Sequence, residues 1–257
     1  MLKGKWALVT GAGGGLGLAI AESLAAAGAN IALHDLVEPG VACDSIRSRF
    51  GVEAVSVTAD LRQRSAIEAM MADLISRSGA IEIVVNNAVV RHFAPISQFP
   101  PDRWEEALAV NLSAPFHIIR LALPGMMQRN WGRILNLTSI YSTRATPNRI
   151  DYVTTKTAIV GMTRAVALET ARTGVTCNAL SPGTVPTPSI LAKIEAIAAT
   201  ENASVADTTS AYLAKRQPSG EFIPAQSVGE MAVFLCSPAA RSITGAVLPI
   251  DGGWSAI

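Results

Sequence analysis

Charge is scarce in this chain of 257 residues. Only 16% of them are Asp, Glu, Lys or Arg, and 21 Lys plus Arg nearly balance 20 Asp plus Glu. Proteins that bind nucleic acid or a membrane surface want a basic field, so this balance argues against both classes. Cysteine is as sparse, with three residues at 43, 177 and 236 and no CxxC spacing, which offers no disulfide framework and fits a reducing compartment. The three histidines, at 34, 92 and 117, are too dispersed for HExxH or Cys-His ligand spacing, so no metal site is expected. Long hydrophobic runs are missing too. The 16 uncharged residues from Trp6 to Ala21 follow Lys3 and Lys5 as in a signal peptide, but they fall short of the roughly 18 that suggest a membrane span. Glycines at 11, 13, 14, 15 and 17 would also break a hydrophobic helix there. The expectation is a cytoplasmic protein.

What is present is an apolar majority arranged in a repeating pattern. Apolar residues make up 49%, enough for one large core in a chain of about 250 residues. WALVT (6–10), NIALHD (30–35), EAVSVTA (53–59), IEIVVNN (81–87), GRILNLTS (132–139), GVTCNALSP (174–182) and GAVLPIDGG (245–253) read as strands. Several are apolar on both faces, as strands of a covered parallel sheet should be. Between them lie helical patterns such as Ile67, Met70, Met71, Leu74 and Ile75. Regular alternation of strand and helix implies one doubly wound, Rossmann-type α/β domain over residues 1–257, its parallel sheet covered by helices on both faces. One connection is too long for a simple crossover. Residues 188–224 open with a helix after Pro188 and then mix helix formers with Ser, Thr, Gly and Pro; they read as a substrate lid, or else as two surface helices with no gating role.

"VTGAGGGLG" follows the first strand and opens the first helix. In that setting glycines let the backbone approach a pyrophosphate at a helix N-terminus. Gly11, Gly15 and Gly17 give a spacing related to, but not the same as, GxGxxG. The second strand ends in Asp35, 18 residues beyond Gly17 and close to the roughly 20-residue offset at which an acid accepts hydrogen bonds from the adenosine ribose. A carboxylate there repels a 2′-phosphate. Neither the glycine turn nor Leu36, Val37 and Glu38 offers a cation to receive one, so NAD is favoured over NADP.

Tyr152 and Lys156, at i and i+4 of "YVTTK", share a helix face. Free tyrosine is a poor base near neutrality, but a neighbouring ammonium favours its phenolate, which suits removal of an alcohol proton as hydride leaves carbon. Taken alone, the pair could equally be two solvated side chains. With "TGAGGGLG", "NNA" (86–88), Ser139 before "YVTTK", and "PGTVPT" (182–187) in the same order, the whole chain resembles the short-chain dehydrogenase/reductase family. That resemblance implies a homotetrameric NAD-dependent enzyme with Tyr152 as general acid/base. Lys156 would assist Tyr152 and hold the nicotinamide ribose, Ser139 would bind the substrate oxygen, and Asn111 would anchor a water leading to Lys156. It further implies cofactor contacts from Gly11, Gly15, Leu16 and Gly17, from Asp60 and Leu61 at the adenine, and from Asn87 and Ala88 beside the adenosine. Pro182, Gly183, Val185 and Thr187 would lie along the nicotinamide. Asp60 capping a turn and Ser139 ending a strand are the plain alternatives. Val89 departs from the family, which usually has glycine after "NNA"; valine would be strained if that position required φ > 0.

The likeness is strongest to the branch of the family that oxidises small hydroxy acids such as D-3-hydroxybutyrate. Where that branch binds a carboxylate through two glutamines, a histidine and a lysine, this chain aligns Arg91, Lys193, Tyr141 and Arg149. Two neutral donors have thus become cations, which suggests a more anionic hydroxy acid: a dicarboxylate, or one phosphorylated or sulfonated. Alternatively Arg91 or Lys193 points to solvent or pairs with an acid such as Glu221. His92 could line the mouth. Two rivals remain. One is the same chemistry on a neutral sugar or cyclic alcohol, and the other is a dinucleotide-binding regulator that has kept the fold without the reaction.

Overall fold

A computed structural model describes all residues 1–257. Seven strands form one parallel sheet: β1 (Trp6–Thr10), β2 (Asn30–Asp35), β3 (Ala54–Thr58), β4 (Ile83–Asn86), β5 (Gly132–Leu137), β6 (Val175–Pro182) and β7 (Val247–Ile250), in the order β3-β2-β1-β4-β5-β6-β7. Every strand expected from the sequence is present. β7 is shorter than its pattern suggested, because Gly245, Gly252 and Gly253 all adopt positive φ and turn the chain out of the sheet at either end.

Nine helices connect the strands: α1 (Gly15–Ala26), α2 (Gly40–Phe50), α3 (Arg64–Ser78), α4 (Pro101–Leu108), α5 (Ala114–Gln128), α6 (Ile150–Glu169), α7 (Pro188–Glu201), α8 (Val205–Ala214) and α9 (Ala225–Cys236). Two apolar cores form, one on each sheet face. One gathers Ile20, Leu24, Ile31, Leu33, Val228 and Leu235 under α1 and α9. The other gathers Ile67, Met71, Leu74, Ile118, Ala122 and Ile134 under α3 and α5. This two-sided burial is why strands such as Ile31–Leu33 are apolar on both faces. α1 and α9 approach closely because residue 229 is glycine: a Cβ there would stand 2.1 Å from Ser23 Oγ.

The run from Pro101 to Gln128 is continuous helix, with one π-helical turn at Ala109–Ser113 between α4 and α5. By length and composition it could cross a bilayer, but its apolar residues Ile118, Ile119, Ala122 and Met126 are buried in the core.

The sheet changes direction of growth between β1 and β4. In an open parallel sheet the loops on either side of that point diverge beyond the carboxyl ends of the strands and leave a crevice. All the loops discussed below leave from that edge.

Candidate active site

A cleft of about 590 Å³ opens at this edge. One end is built by the glycine turn. Gly11 and Gly15 have φ of 63° and 56°, the left-handed region that glycine adopts without a steric penalty. At Gly17 a Cβ would lie 2.3 Å from the Gly11 carbonyl oxygen and 2.6 Å from Asn87 Nδ2, and at Gly13 one would lie 2.8 Å from Asp35 Oδ2. At Gly14, by contrast, a Cβ would meet nothing within 4 Å. The turn is therefore tight against the protein and open towards the cleft at the N-terminus of α1, whose first backbone N–H groups have no partner within the helix. This is a cradle suited to a diphosphate, and the residues present fit a dinucleotide.

Asp35 ends β2 inside the cleft. Its Oδ2 accepts from the Gly13 N–H at 2.9 Å and its Oδ1 from the Leu36 N–H at 2.7 Å, so the carboxylate is held in place without a cation. Asp60 sits nearby and serves its turn as well: Oδ1 accepts from the Arg62 N–H at 3.0 Å, and the Arg62 guanidinium grips both oxygens. These hydrogen bonds hold the Asp60 carboxyl below the usual carboxylate range. Arg62 also reaches Glu106 at 3.7 Å. Leu61 and Ala88 line the same end. Asn87 is occupied with the protein itself, since its Nδ2 donates to the carbonyls of Thr10 and Gly11, both at 2.9 Å. It thereby ties β4 to the glycine turn. Val89 lines the cleft and has no positive φ, so the strain considered for a valine at this position does not arise.

The other end carries the residues singled out in "YVTTK". β5 and the turn after it deliver Ser139 and Tyr141, while the first turns of α6 deliver Arg149, Tyr152 and Lys156; all five line the cleft. Lys156 is buried, and its Nζ donates to the Leu137 carbonyl at 2.5 Å and lies 5.7 Å from the centre of the Tyr152 ring. Burial, aided by the charge of Arg91, pushes the Lys156 ammonium down to about 7. Asn111 does not line the cleft. It is buried in the π-helical turn, exchanging hydrogen bonds with the Val90 backbone in both directions at 2.9 Å and reaching Thr155 Oγ1 at 3.3 Å. Pro182, Gly183, Val185 and Thr187 line the cleft from the loop after β6.

Arg149 is enclosed by aromatic rings. Its guanidinium lies 4.4 Å from the ring centre of Tyr152, 4.7 Å from Phe93 and 5.4 Å from Tyr141, positions that favour a cation over a π face. Burial lowers its pKa, and its Nε is buried without a partner. Arg91 and Lys193 line the cleft with it, and neither pairs with Glu221 or any other acid in a salt bridge. His92 lies just outside, its backbone N–H donating to Asp151 Oδ2 at 2.9 Å.

Tyr212, Arg216 and Trp254 are among the cleft residues that the sequence did not single out. Tyr212 and Arg216 come from α8 and its end, and the guanidinium stacks on the tyrosine ring at 3.8 Å. Trp254 meets Tyr141 edge to face at 5.8 Å. Only the tertiary fold brings them here.

Comparison with known proteins bears on what this cleft does. The family model for enoyl-(acyl carrier protein) reductases matches residues 11–255. A D-beta-hydroxybutyrate dehydrogenase of Cupriavidus necator is 44% identical over 257 residues, all of both chains. One of Rhizobium meliloti is 39% identical over 255 residues, 98% of this chain and 99% of the relative. Among solved structures, L-sorbose reductase from Gluconobacter frateurii, complexed with NADPH and L-sorbose, superposes with a TM-score of 0.94 at 26% identity, covering 98% of this chain and 97% of that one.

Proposed function

The chain belongs to the short-chain dehydrogenase/reductase family, and from that premise we propose that it transfers hydride reversibly between NAD and a small hydroxy acid like 3-hydroxybutyrate. Two relatives, matched over 100% and 99% of their length, are named for that activity. The reading is carried by one observation: Tyr152, Lys156 and Ser139 share a single cleft with the glycine turn and Asp35.

When bound, the cofactor supplies the hydride acceptor, C4 of its nicotinamide. Everything else falls to the chain. Ser139 Oγ donates to the substrate oxygen and orients it. The Tyr152 hydroxyl takes the carbinol proton during oxidation and returns it during reduction. The Arg149 guanidinium and Lys156 Nζ lie 4.4 and 5.7 Å from the centre of the Tyr152 ring, where they hold the ring in position beside the reacting carbon. Asn111, whose side chain is spent on Val90 and Thr155, anchors through its main chain a water on the route by which the proton leaves past Lys156. Arg149 holds the carboxylate, with Tyr141 and Trp254 closing the apolar side of the pocket.

Asp35 favours NAD over NADP. A 2′-phosphate would meet its carboxylate, and Arg62, the cation lining that end, is already committed to Asp60 and Glu106. Asp60 and Leu61 flank the adenine, Asn87 and Ala88 the adenosine, and Val185 and Thr187 the carboxamide. Residues 188–224, which contain α7 and α8, form the lid. Three free, buried cysteines suit the cytoplasm, and the family resemblance supplies the homotetramer.

The test is NADH formation at 340 nm with D- and L-3-hydroxybutyrate, beside neutral sugar and cyclic alcohols. One hydroxybutyrate enantiomer should be oxidised with NAD, the neutral alcohols poorly. Tyr152→Phe should lower kcat at least about a hundredfold, a typical contribution of a positioned acid/base, and leave NADH binding measurable. An active Phe variant, or preference for a neutral alcohol, would refute the reading.

A further inference from the structure

The acid end of the cleft carries more positive charge than one carboxylate needs. Arg91, Arg149, Lys193 and Arg216 all line it, and none of them takes part in a salt bridge, although nine ion pairs form elsewhere in the molecule. The acids lining the cleft are Asp35, Asp60 and Glu106, and they belong to the glycine-turn end. One carboxylate, Asp151, stands behind the cations; it is buried, spends Oδ2 on the His92 N–H, and leaves Oδ1 without a partner. Even with Lys156 left to the reacting centre, four cations against one acid leave an excess of three positive charges.

These charges are close enough to act on one another. Burial first, then the charges of Arg216, Arg149 and Arg91, lower the pKa of Lys193. Arg91 acts on Arg149 and Lys156 in the same sense. Unpaired like charges gathered at the mouth of a partly buried pocket destabilise the protein until an anion neutralises them. The four also come from two sides. Arg91 follows β4 and Arg149 opens α6, both on the sheet side, whereas Lys193 on α7 and Arg216 beyond α8 belong to the segment that roofs the cleft.

Resting on the proposed hydroxy acid activity, we propose that the substrate carries two anionic groups, one held by Arg149 and Arg91 on the sheet side and the other by Lys193 and Arg216 on the roof side. The second group is a carboxylate, sulfonate or phosphate on a short skeleton, and Arg216 is a specificity-determining residue. The chemistry fits: guanidinium binds carboxylate, sulfonate and phosphate oxygens through paired N–H groups, and lysine adds a point charge. A monocarboxylate would leave the roof-side cations unsatisfied.

The experiment compares kcat/KM for NAD reduction with 3-hydroxybutyrate, 3-hydroxyglutarate, 4-sulfo-3-hydroxybutyrate and 4-phospho-3-hydroxybutyrate, together with 3-hydroxybutyryl-CoA. A dianion should exceed 3-hydroxybutyrate by at least about tenfold, the effect of one modestly favourable charge contact. Which dianion wins identifies the second group. Arg216→Gln and Lys193→Gln should each shrink that ratio about tenfold, with Arg216→Lys restoring part of it, and NADH binding by fluorescence would confirm that each variant is folded. A ratio near or below one, a ratio unchanged in both glutamine variants, or preference for the CoA thioester would overturn the proposal while leaving the hydroxy acid activity intact. Failure to reduce NAD with any hydroxy acid would overturn that activity and this proposal with it.

Discussion

Replacing Lys156 with methionine should make the cofactor-free protein more stable while abolishing turnover. The ammonium is buried, with the Leu137 carbonyl as its hydrogen-bond partner, and burial brings its pKa from the ordinary 10.5 to about 7. Between those two values the unfolded chain binds a proton that the folded chain does not. Stability therefore rises with pH across that window, and the deficit is complete below about pH 7. At ~1.4 kcal/mol per pH unit the deficit is at most about 5 kcal/mol. Methionine removes it but leaves the Leu137 carbonyl without its donor, a loss of about 1–3 kcal/mol. The net gain at pH 6 is thus about 2–4 kcal/mol, or roughly 5–10 °C in Tm for a chain of this size. At pH 9 less than half of the deficit remains, so the gain should nearly vanish. Thermal unfolding of both proteins without cofactor at pH 6 and pH 9 reads this directly. A methionine variant that melts below the wild type at pH 6, or a Tm difference that does not depend on pH, would refute the account of Lys156 as a charge kept buried at a cost for the sake of the reaction.

Two further substitutions probe the cofactor end. Gly17→Ala puts a methyl group 2.3 Å from the Gly11 carbonyl and should weaken NADH binding by at least about tenfold, measured by fluorescence titration; unchanged affinity would mean that the turn does not shape the cradle. Asp35→Ala should raise the NADP to NAD ratio of kcat/KM by about tenfold or more, as expected when a charge opposing the 2′-phosphate is removed, and an unchanged ratio would remove Asp35 from cofactor selection.

Much of this architecture is legible in the sequence because a covered parallel sheet demands strands that are apolar on both faces, and Ile31–Leu33 and Ile83–Val85 meet that demand without ambiguity. The glycine turn and Asp35 are equally legible, since they depend on residues close together in the chain. The cleft's acid end is only half legible. Arg149, Tyr152 and Lys156 lie on one helix and announce themselves by spacing. Arg216 lies two residues beyond α8 and lines the cleft together with Tyr212 of α8 and Lys193 of α7, and Trp254 arrives through the terminal turn after β7. Neither belongs to a local pattern. Asn111 shows the limit in another way: it sits in a π-helical turn, which no residue pattern announces, and exchanges hydrogen bonds between its side-chain amide and the backbone of Val90. Asn87 and Asp60 are less simple than their motif suggests, because each spends hydrogen bonds on the protein, Asn87 on the glycine turn and Asp60 on Arg62.

The central claim is hydride transfer from the carbinol carbon of a hydroxy acid to NAD. It is tested most directly by supplying D-3-hydroxybutyrate deuterated at C3, or the preferred dianion labelled in the same way, and weighing the reduced cofactor by mass spectrometry. The account predicts NADH one mass unit heavier, with the deuterium at C4 of the nicotinamide; reduced cofactor carrying solvent hydrogen, or no reduced cofactor with any labelled hydroxy acid, would contradict it.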